Sequence, residues 1–322
     1  NDLPTNAGNY YLTDNVTLSN TWKPVDGTVL CLNGHSITMN GNITAIYVID
    51  ITFTLCDCKG DRDAYGQITH PVGNTGSGVY VSGTGVFHMY GGKITNNTAT
   101  QYGGGVYVYE GTFDMDEGEI SGNTTSGPGG GVRVSRVNCT FTMRGGEIKD
   151  NTASSGGGVS VVDQGEFTMC GGNIPNHHAS GNGGGVSMTL VGKFTVSGKA
   201  NITGNKKGTA NNNVYLLDNK PIIIGVDGLD NDASIGVTTE STQAGSVIAT
   251  GTSLSDKDAE KFTSDLDGYA VSVNDAKDSL VLVKAHTHFL CGGNSCTKVG
   301  HTQETSMVTF KPWDKTNELP TT

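Results

Sequence analysis

Between residues 76 and 205 one short pattern is written five times, and no other feature restricts the fold as much. Gly78-Val-Tyr-Val81, Gly105-Val-Tyr-Val108, Gly131-Val-Arg-Val134, Gly158-Val-Ser-Val161 and Gly185-Val-Ser-Met188 align with first valines 27, 26, 27 and 27 residues apart. A second apolar pair follows in each copy: Phe87 and Met89, Phe113 and Met115, Phe141 and Met143, Phe167 and Met169, Phe194 and Val196. A third run closes each copy as Ile94 to Asn97, Ile120 to Asn123, Ile148 to Asn151, Ile174 to His177 and Ile202 to Asn205. A period of this size specifies a solenoid in which each repeat buries its apolar face against its neighbours.

The chemistry within a repeat chooses the type of solenoid. Apolar residues two apart, broken by Gly-Gly, Gly-Asn and Asn-Thr turn signals, describe short strands and leave no room for a helix. The spacing therefore predicts an all-β, right-handed parallel β-helix of about 26–27 residues per coil, three strands to a turn. Equivalent residues then stack about 4.8 Å apart, so Val79, Val81, Phe87, Met89 and Ile94 head continuous columns inside the coil. Asn97, Asn123 and Asn151 form a polar column at one corner, which His177 is expected to interrupt.

Outside the regular coils the pattern weakens. Residues 1–75 carry degenerate strand runs, so residues 1–224 are read as β-helix. Residues 225–285 lose the period and read as a small β-rich cap with antiparallel pairing and a short helix near Asp256 to Ser264. Residues 286–322 form a His/Cys linker. The last residues, Asn317-Glu-Leu-Pro-Thr321, repeat the first, Asn1-Asp-Leu-Pro-Thr5, which suggests a tandem array with neighbouring units of the same chain. Leu3-Pro-Thr5 and Leu319-Pro-Thr321 lack the glycine, apolar tail and basic residues of a wall-sorting signal.

A net charge of −11 disfavours nucleic acid and anionic lipid as partners. No apolar run approaches the roughly 20 residues of a membrane span, so no insertion is expected from this segment. Acidic and lysine-poor, the composition suits a secreted or cell-surface protein.

Chemistry-bearing residues are few. Seven cysteines leave at least one thiol unpaired within the chain. Cys31 and Cys56, one coil apart, are either a disulfide or two stacked thiols, while Cys139 and Cys170 do not align. His288, Cys291, Cys296 and His301 have the residue types of a zinc site; the alternative is a Cys291 to Cys296 disulfide. Asp57, Asp61 and Asp63, and separately Asp227, Asp230 and Asp232, supply enough oxygen for calcium without an EF-hand spacing. His177 and His178 read as an exposed pair in a corner turn that could ligate a metal or serve as a base, although a lone exposed pair is usually neither. The repeat register places Glu119 beside Glu147, flanked by Lys93; a carboxylate pair about 5 Å apart could raise one pKa for acid catalysis, while on an open surface solvent and Lys93 would more simply keep both ionised. That pair is the one catalytic candidate, suited to a polysaccharide lyase or glycoside hydrolase. Gly103-Gly-Gly105 precedes a strand, not a helix, so it is no phosphate loop.

A binding surface is better represented. With the valines inside, Tyr80 points out and its register neighbours are Tyr107 and Arg133. His88 and Asp114 share the next outward ladder, and Tyr90 lies beyond, in line with Asp116 and Arg144. Exposed aromatics beside arginine are what sugar rings and protein hot spots use.

The Gly-Gly-Gly-Val, Phe-Thr-Met-x-Gly-Gly-x-Ile and Ile-x-x-Asn elements, with Leu30-Cys-Leu-Asn-Gly-His-Ser-Ile37 upstream, resemble repeat-built surface and adhesin proteins of gut Firmicutes. The Gly-Gly and x-x-Asn elements are also similar to chlamydial polymorphic outer-membrane proteins. The resemblance implies a right-handed β-helix displayed on a bacterial cell wall and a non-catalytic role in binding a host glycoprotein or protein, with mucin glycan or immunoglobulin as candidates. It names no catalytic residues. A passive stalk is the remaining alternative.

Overall fold

A computed structural model describes residues 3–189, 191–292 and 295–302, with side chains to residue 285. The chain is a parallel β-solenoid of about nine turns. On its first face Ile46, Val79, Val106, Val132, Val159, Val186 and Val214 are successive Cα partners. On the second, Phe53, Phe87, Phe113, Phe141, Phe167 and Phe194 follow one another. On the third, Gln67, Lys93, Glu119, Glu147, Asn173 and Asn201 do. Two coils run so smoothly around their corners that each is one bent strand, Val79–Thr95 and Val106–Ser121.

A fourth element, not expected from the sequence, completes each turn. Thr98–Ala99, Thr124–Thr125, Thr152–Ala153, His178–Ala179 and Lys206–Lys207 are two-residue strands stacked in a separate small sheet. Such a segment is too short to show an apolar period, although its buried alanines face inward at Ala99, Ala153 and Ala179.

The interior is dry and ordered. The six phenylalanines are 0–1% exposed, and from Phe53 to Phe194 their rings lie 4.7–5.7 Å apart with planes within 11° of parallel. Strand spacing enforces this stack, since residues one coil apart have nowhere else to place identical rings. Trp22 closes its upper end edge-on against Phe53 at 5.4 Å. The glycines immediately before Val106, Val132, Val159 and Val186 are required by close approach. A Cβ on Gly131 would lie 2.7 Å from both the Gly158 carbonyl oxygen and the Ile148 side chain. Gly146 is needed for a different reason, its φ of +79°.

The corner column is longer than the asparagines alone suggest, and His177 continues it. Asn123 accepts at Oδ1 from the Asn97 backbone and side-chain amides at 3.0 and 2.9 Å, and Asn151 does the same for Asn123 at 2.8 and 3.0 Å. Each amide also donates to an isoleucine carbonyl of the preceding coil, as Asn123 does to Ile94 at 2.9 Å. His177 reproduces both functions of an asparagine: Nδ1 accepts from the Asn151 N–H at 3.0 Å while Nε2 donates to the Ile148 carbonyl at 2.9 Å. Below it the column passes through Asn205 and Asn213 to the Asp265 carboxylate. Above, His70 Nδ1 meets Asn97 Oδ1 at 2.7 Å. Asn97, Asn123, Asn151, His177 and Asn205 are all fully buried. Buried polar atoms are tolerated because every one has a partner along the ladder. The expectation of an exposed His177–His178 base or ligand is therefore corrected: His177 is sealed in, and burial drives its pKa from the ordinary 6.5 to about 4.

Coil winding also continues further than expected. Ser234–Thr239 pairs in parallel with both Asn201–Thr203 and Val214–Leu216, and Phe262–Ser264 stacks in parallel beneath it. Parallel pairing thus extends well into residues 225–285. Antiparallel pairing in this part of the chain involves Ser279–Gly292, which pairs with Val247–Thr250 and Tyr269–Val273. The expected helix is a single turn, Asp256–Ala259, closed by a Ser255 and Asp258 capping box. No helix among the described residues is long and apolar enough to cross a membrane.

Cys31 and Cys56 are Cα partners as the register requires. The disulfide nevertheless joins Cys31 to Cys58, with Cα atoms 6.2 Å apart, and Cys56 is a free thiol. The chain leaves the strand at Cys56, and this exit brings Cys58 back toward Cys31. Burial, assisted by Asp57, raises the Cys56 pKa. Cys139 and Cys170 are also free.

Candidate functional site

The outward positions of the first face carry the densest cluster of aromatic and cationic groups. Strand parity sends Val79, Val106 and Val132 into the core, which turns Tyr80, Tyr107 and Arg133 out in register, as expected. Tyr47 extends the ladder one coil upward. Tyr80 packs on Tyr47 at 5.2 Å and on Tyr107 at 5.4 Å.

Two tyrosines outside this ladder enlarge it. Tyr102 stacks on Tyr107 at 4.9 Å with planes 8° apart, and Tyr109 packs against Tyr107 at 5.8 Å. The Arg133 guanidinium lies 5.3 Å from the Tyr102 ring and 5.6 Å from Tyr107. Arg136 lies 4.8 Å over Tyr109. Contacts of this kind contribute roughly 0.5–2 kcal/mol each and hold the guanidinium planes in place. Tyr107, expected among the exposed aromatics, is only 7% exposed because Tyr80, Tyr102, Tyr109 and Arg133 pack around it, and it is the hub of the cluster. Burial pushes its pKa up to about 12 despite the opposing charge of Arg133, so it stays protonated and neutral.

These groups enclose an open depression of about 630 Å³ floored by the tyrosines and bordered by Arg133, Ser135, Arg136, Val137, Asp163 and Gln164. Its size lies in the roughly 300–1,000 Å³ range of small-ligand sites. A second depression of about 550 Å³, lined by Gly83 to Gly85 and Glu110 to Thr112, adjoins it and shares Val137. Ser135 Oγ donates to Asp163 at 2.9 Å, fixing the one carboxylate on the rim. Tyr109 follows the same parity as Tyr107 and was legible in the sequence. Tyr102 and Arg136 were not, because both sit in connections where no period assigns a direction.

The neighbouring ladder is used internally. Asp114 is held between His88 Nδ1 at 3.5 Å and Arg144 at 3.2 Å, and Arg144 also reaches Asp116 at 3.5 Å. Tyr90 is 52% exposed and stacks on His88, but its Cα partner is Glu117, not the expected Asp116, because the strand is irregular there. His88, Asp114 and Tyr90 thus lie together without joining the tyrosine cluster.

The candidate catalytic pair is in register, with Lys93 above Glu119 and Glu147 below it. Its electrostatics are set by lysine, as the open-surface alternative expected, and not by carboxylate repulsion. Lys149, which the sequence reading left out, places Nζ 3.2 Å from Glu119 and 2.9 Å from Glu147. Ser121 donates to Glu119 at 2.6 Å. Burial would raise the Glu119 pKa, but the Ser121 and Lys149 hydrogen bonds and the lysine charges outweigh it, and the net shift is downward. A carboxylate stabilised in this way is a poor proton donor.

Metal candidates fare differently. Among the described residues no group of three or more His, Cys, Asp or Glu side chains converges on a metal position. Asp57 instead accepts from the Gly34, Lys59 and Gly66 amides, and Asp61 caps the turn at Arg62–Ala64. Asp232 pairs with Lys199 at 3.1 Å. Neither aspartate group converges on a common point, in keeping with a reading of these residues as loop acids. The backbone pairs Cys291 with Cys296 and His286 with His301 in a hairpin. The side chains of the expected zinc set, His288, Cys291, Cys296 and His301, lie outside the described residues, as does the repeated segment at 317–321. No protein-family model matches this chain, and comparisons with curated proteins and with solved structures return no match.

Proposed function

We propose that this chain is a non-catalytic binding module of a multi-unit bacterial adhesin, displayed outside the cell on the wall. In this reading it captures a host glycoprotein or protein, with mucin and immunoglobulin as the first candidates. The observation that carries it is the cluster of Tyr102, Tyr107, Tyr109, Arg133 and Arg136 around an open depression, with Tyr80 packed against Tyr107 beside it. A rigid solenoid gives such a surface little to lose on binding, because the aromatic rings are already stacked and the arginines already seated. Tyrosine and arginine are also the residues in which interface energy concentrates.

The test is capture of purified mucin and immunoglobulin by the immobilised chain and by Tyr80→Ala, Tyr102→Ala and Arg133→Ala variants whose circular dichroism is unchanged. Each substitution at a hot spot should weaken capture by about tenfold or more. Unchanged capture by all three variants would remove the site, and no capture by the parent chain would favour a passive spacer. Incubation with mucin and plant polysaccharides should release no new reducing ends or unsaturated products. Their appearance would restore the enzymatic reading, which the Lys149 bridge between Glu119 and Glu147 does not favour.

A further inference from the structure

The charges of the tyrosine depression narrow the class of ligand. Arg133 and Arg136 both line it, each against a tyrosine ring. Neither forms an ion pair with a carboxylate of the described residues, although acidic residues outnumber basic ones by 31 to 20 in the chain. The other two described arginines, Arg62 and Arg144, each hold an acid. Arg133 directs one weak hydrogen bond, 3.4 Å to the Gln101 carbonyl, and Arg136, which is exposed, makes none among the described residues. A guanidinium stacked on an aromatic ring can keep an N–H edge for bidentate recognition of an oxyanion; the exposed Arg136 offers that edge, whereas the Nε of Arg133 is buried without a partner and leaves only its terminal N–H groups for the ligand. The remaining wall mixes an aromatic face at Tyr102, 46% exposed, with acceptor and donor groups on Asp163 and Gln164. Aromatic faces suit the C–H face of a pyranose, and the amide and carboxylate suit its hydroxyls.

We infer that the depression binds an acidic saccharide. The anionic carboxylate or sulfate lies against Arg133 and Arg136, and the sugar ring lies against the tyrosines. This rests on the binding-module reading above and adds to it the chemical class that is recognised. A neutral glycan would leave two guanidiniums without a counter-charge. Asp163, held by Ser135, opposes the anion at one rim only, and so orients it toward the arginine wall.

The whole chain is titrated by calorimetry with sialyllactose, sulfated lactose and lactose at low and high salt, together with the Arg136→Gln and Tyr102→Ala variants. At least one acidic sugar should bind about tenfold or more tightly than lactose, and Arg136→Gln should abolish that preference. Added salt should weaken the acidic sugars selectively. Comparison of the two acidic sugars distinguishes a carboxylate from a sulfate ligand. Equal binding of lactose, or a preference that survives Arg136→Gln, overturns the inference while leaving a glycan-binding surface. Absence of all saccharide binding, with capture of mucin or immunoglobulin still dependent on Tyr102 and Arg133, overturns it in favour of a protein epitope. If neither saccharide binding nor capture responds to these substitutions, the inference and the underlying reading fall together.

Discussion

Replacement of His177 by asparagine should change how stability depends on pH while preserving the fold. In the native chain His177 is fully buried, accepting at Nδ1 and donating at Nε2. A second proton on Nδ1 would remove the acceptor of the Asn151 N–H and place a charge in a dry interior. Above pH 6.5 the ring is neutral in both folded and unfolded chains and makes no contribution to the slope. Between pH 6.5 and about 4 the unfolded chain takes up a proton that the native state refuses, so stability falls as pH falls. Below about pH 4 the native ring is protonated as well and the loss levels off. The gap between 6.5 and about 4 corresponds to roughly 3 kcal/mol. An asparagine at this corner would supply the same acceptor and donor as Asn123 and Asn151 without a titrating group. Denaturant unfolding at closely spaced pH values, comparing the parent chain with His177→Asn, isolates this contribution because the other ionisable groups are common to both. His178→Asn, at an exposed position, serves as the control. The difference between parent and His177→Asn should grow by roughly 3 kcal/mol from pH 7 to pH 4. Parallel curves would refute the account of His177 as a neutral member of the ladder.

Two further outcomes test the interior and the covalent chemistry. Phe141→Ala removes a fully buried ring between Phe113 and Phe167 and should cost about 3–5 kcal/mol in denaturant unfolding; a cost below about 1 kcal/mol would mean that the stack is not tightly packed. Peptide mapping of the unreduced, alkylated protein should recover Cys31 joined to Cys58 with Cys56 alkylated, whereas a Cys31 to Cys56 peptide would contradict the observed pairing.

Much of the architecture was legible because a solenoid converts sequence period directly into spatial neighbourhood. Residues 26 or 27 apart must stack, so the valine, phenylalanine and isoleucine columns, the asparagine corner and the outward line of Tyr80, Tyr107 and Arg133 could be written down from the repeats. Alternation within a strand supplied the remaining direction, inside or outside.

What the repeats could not assign lies in the connections and in side-chain reach. Tyr102 and Arg136 occupy turns, where neither period nor parity applies, yet they complete the depression. Lys149 sits two residues from Glu147 on the same face, and the length of its side chain, not its register, lets it neutralise both glutamates. Cys58 reaches Cys31 because the chain bends after Cys56. His177 looked like a break in a column of asparagines; only burial and the positions of two ring nitrogens show that an imidazole can make the same pair of hydrogen bonds. Sequence alone determined the coil and its columns, since these follow from backbone spacing repeated at every turn. Tertiary structure decided the ion pairing and the tyrosine-arginine depression, since these depend on where flexible side chains and irregular turns come to rest in three dimensions.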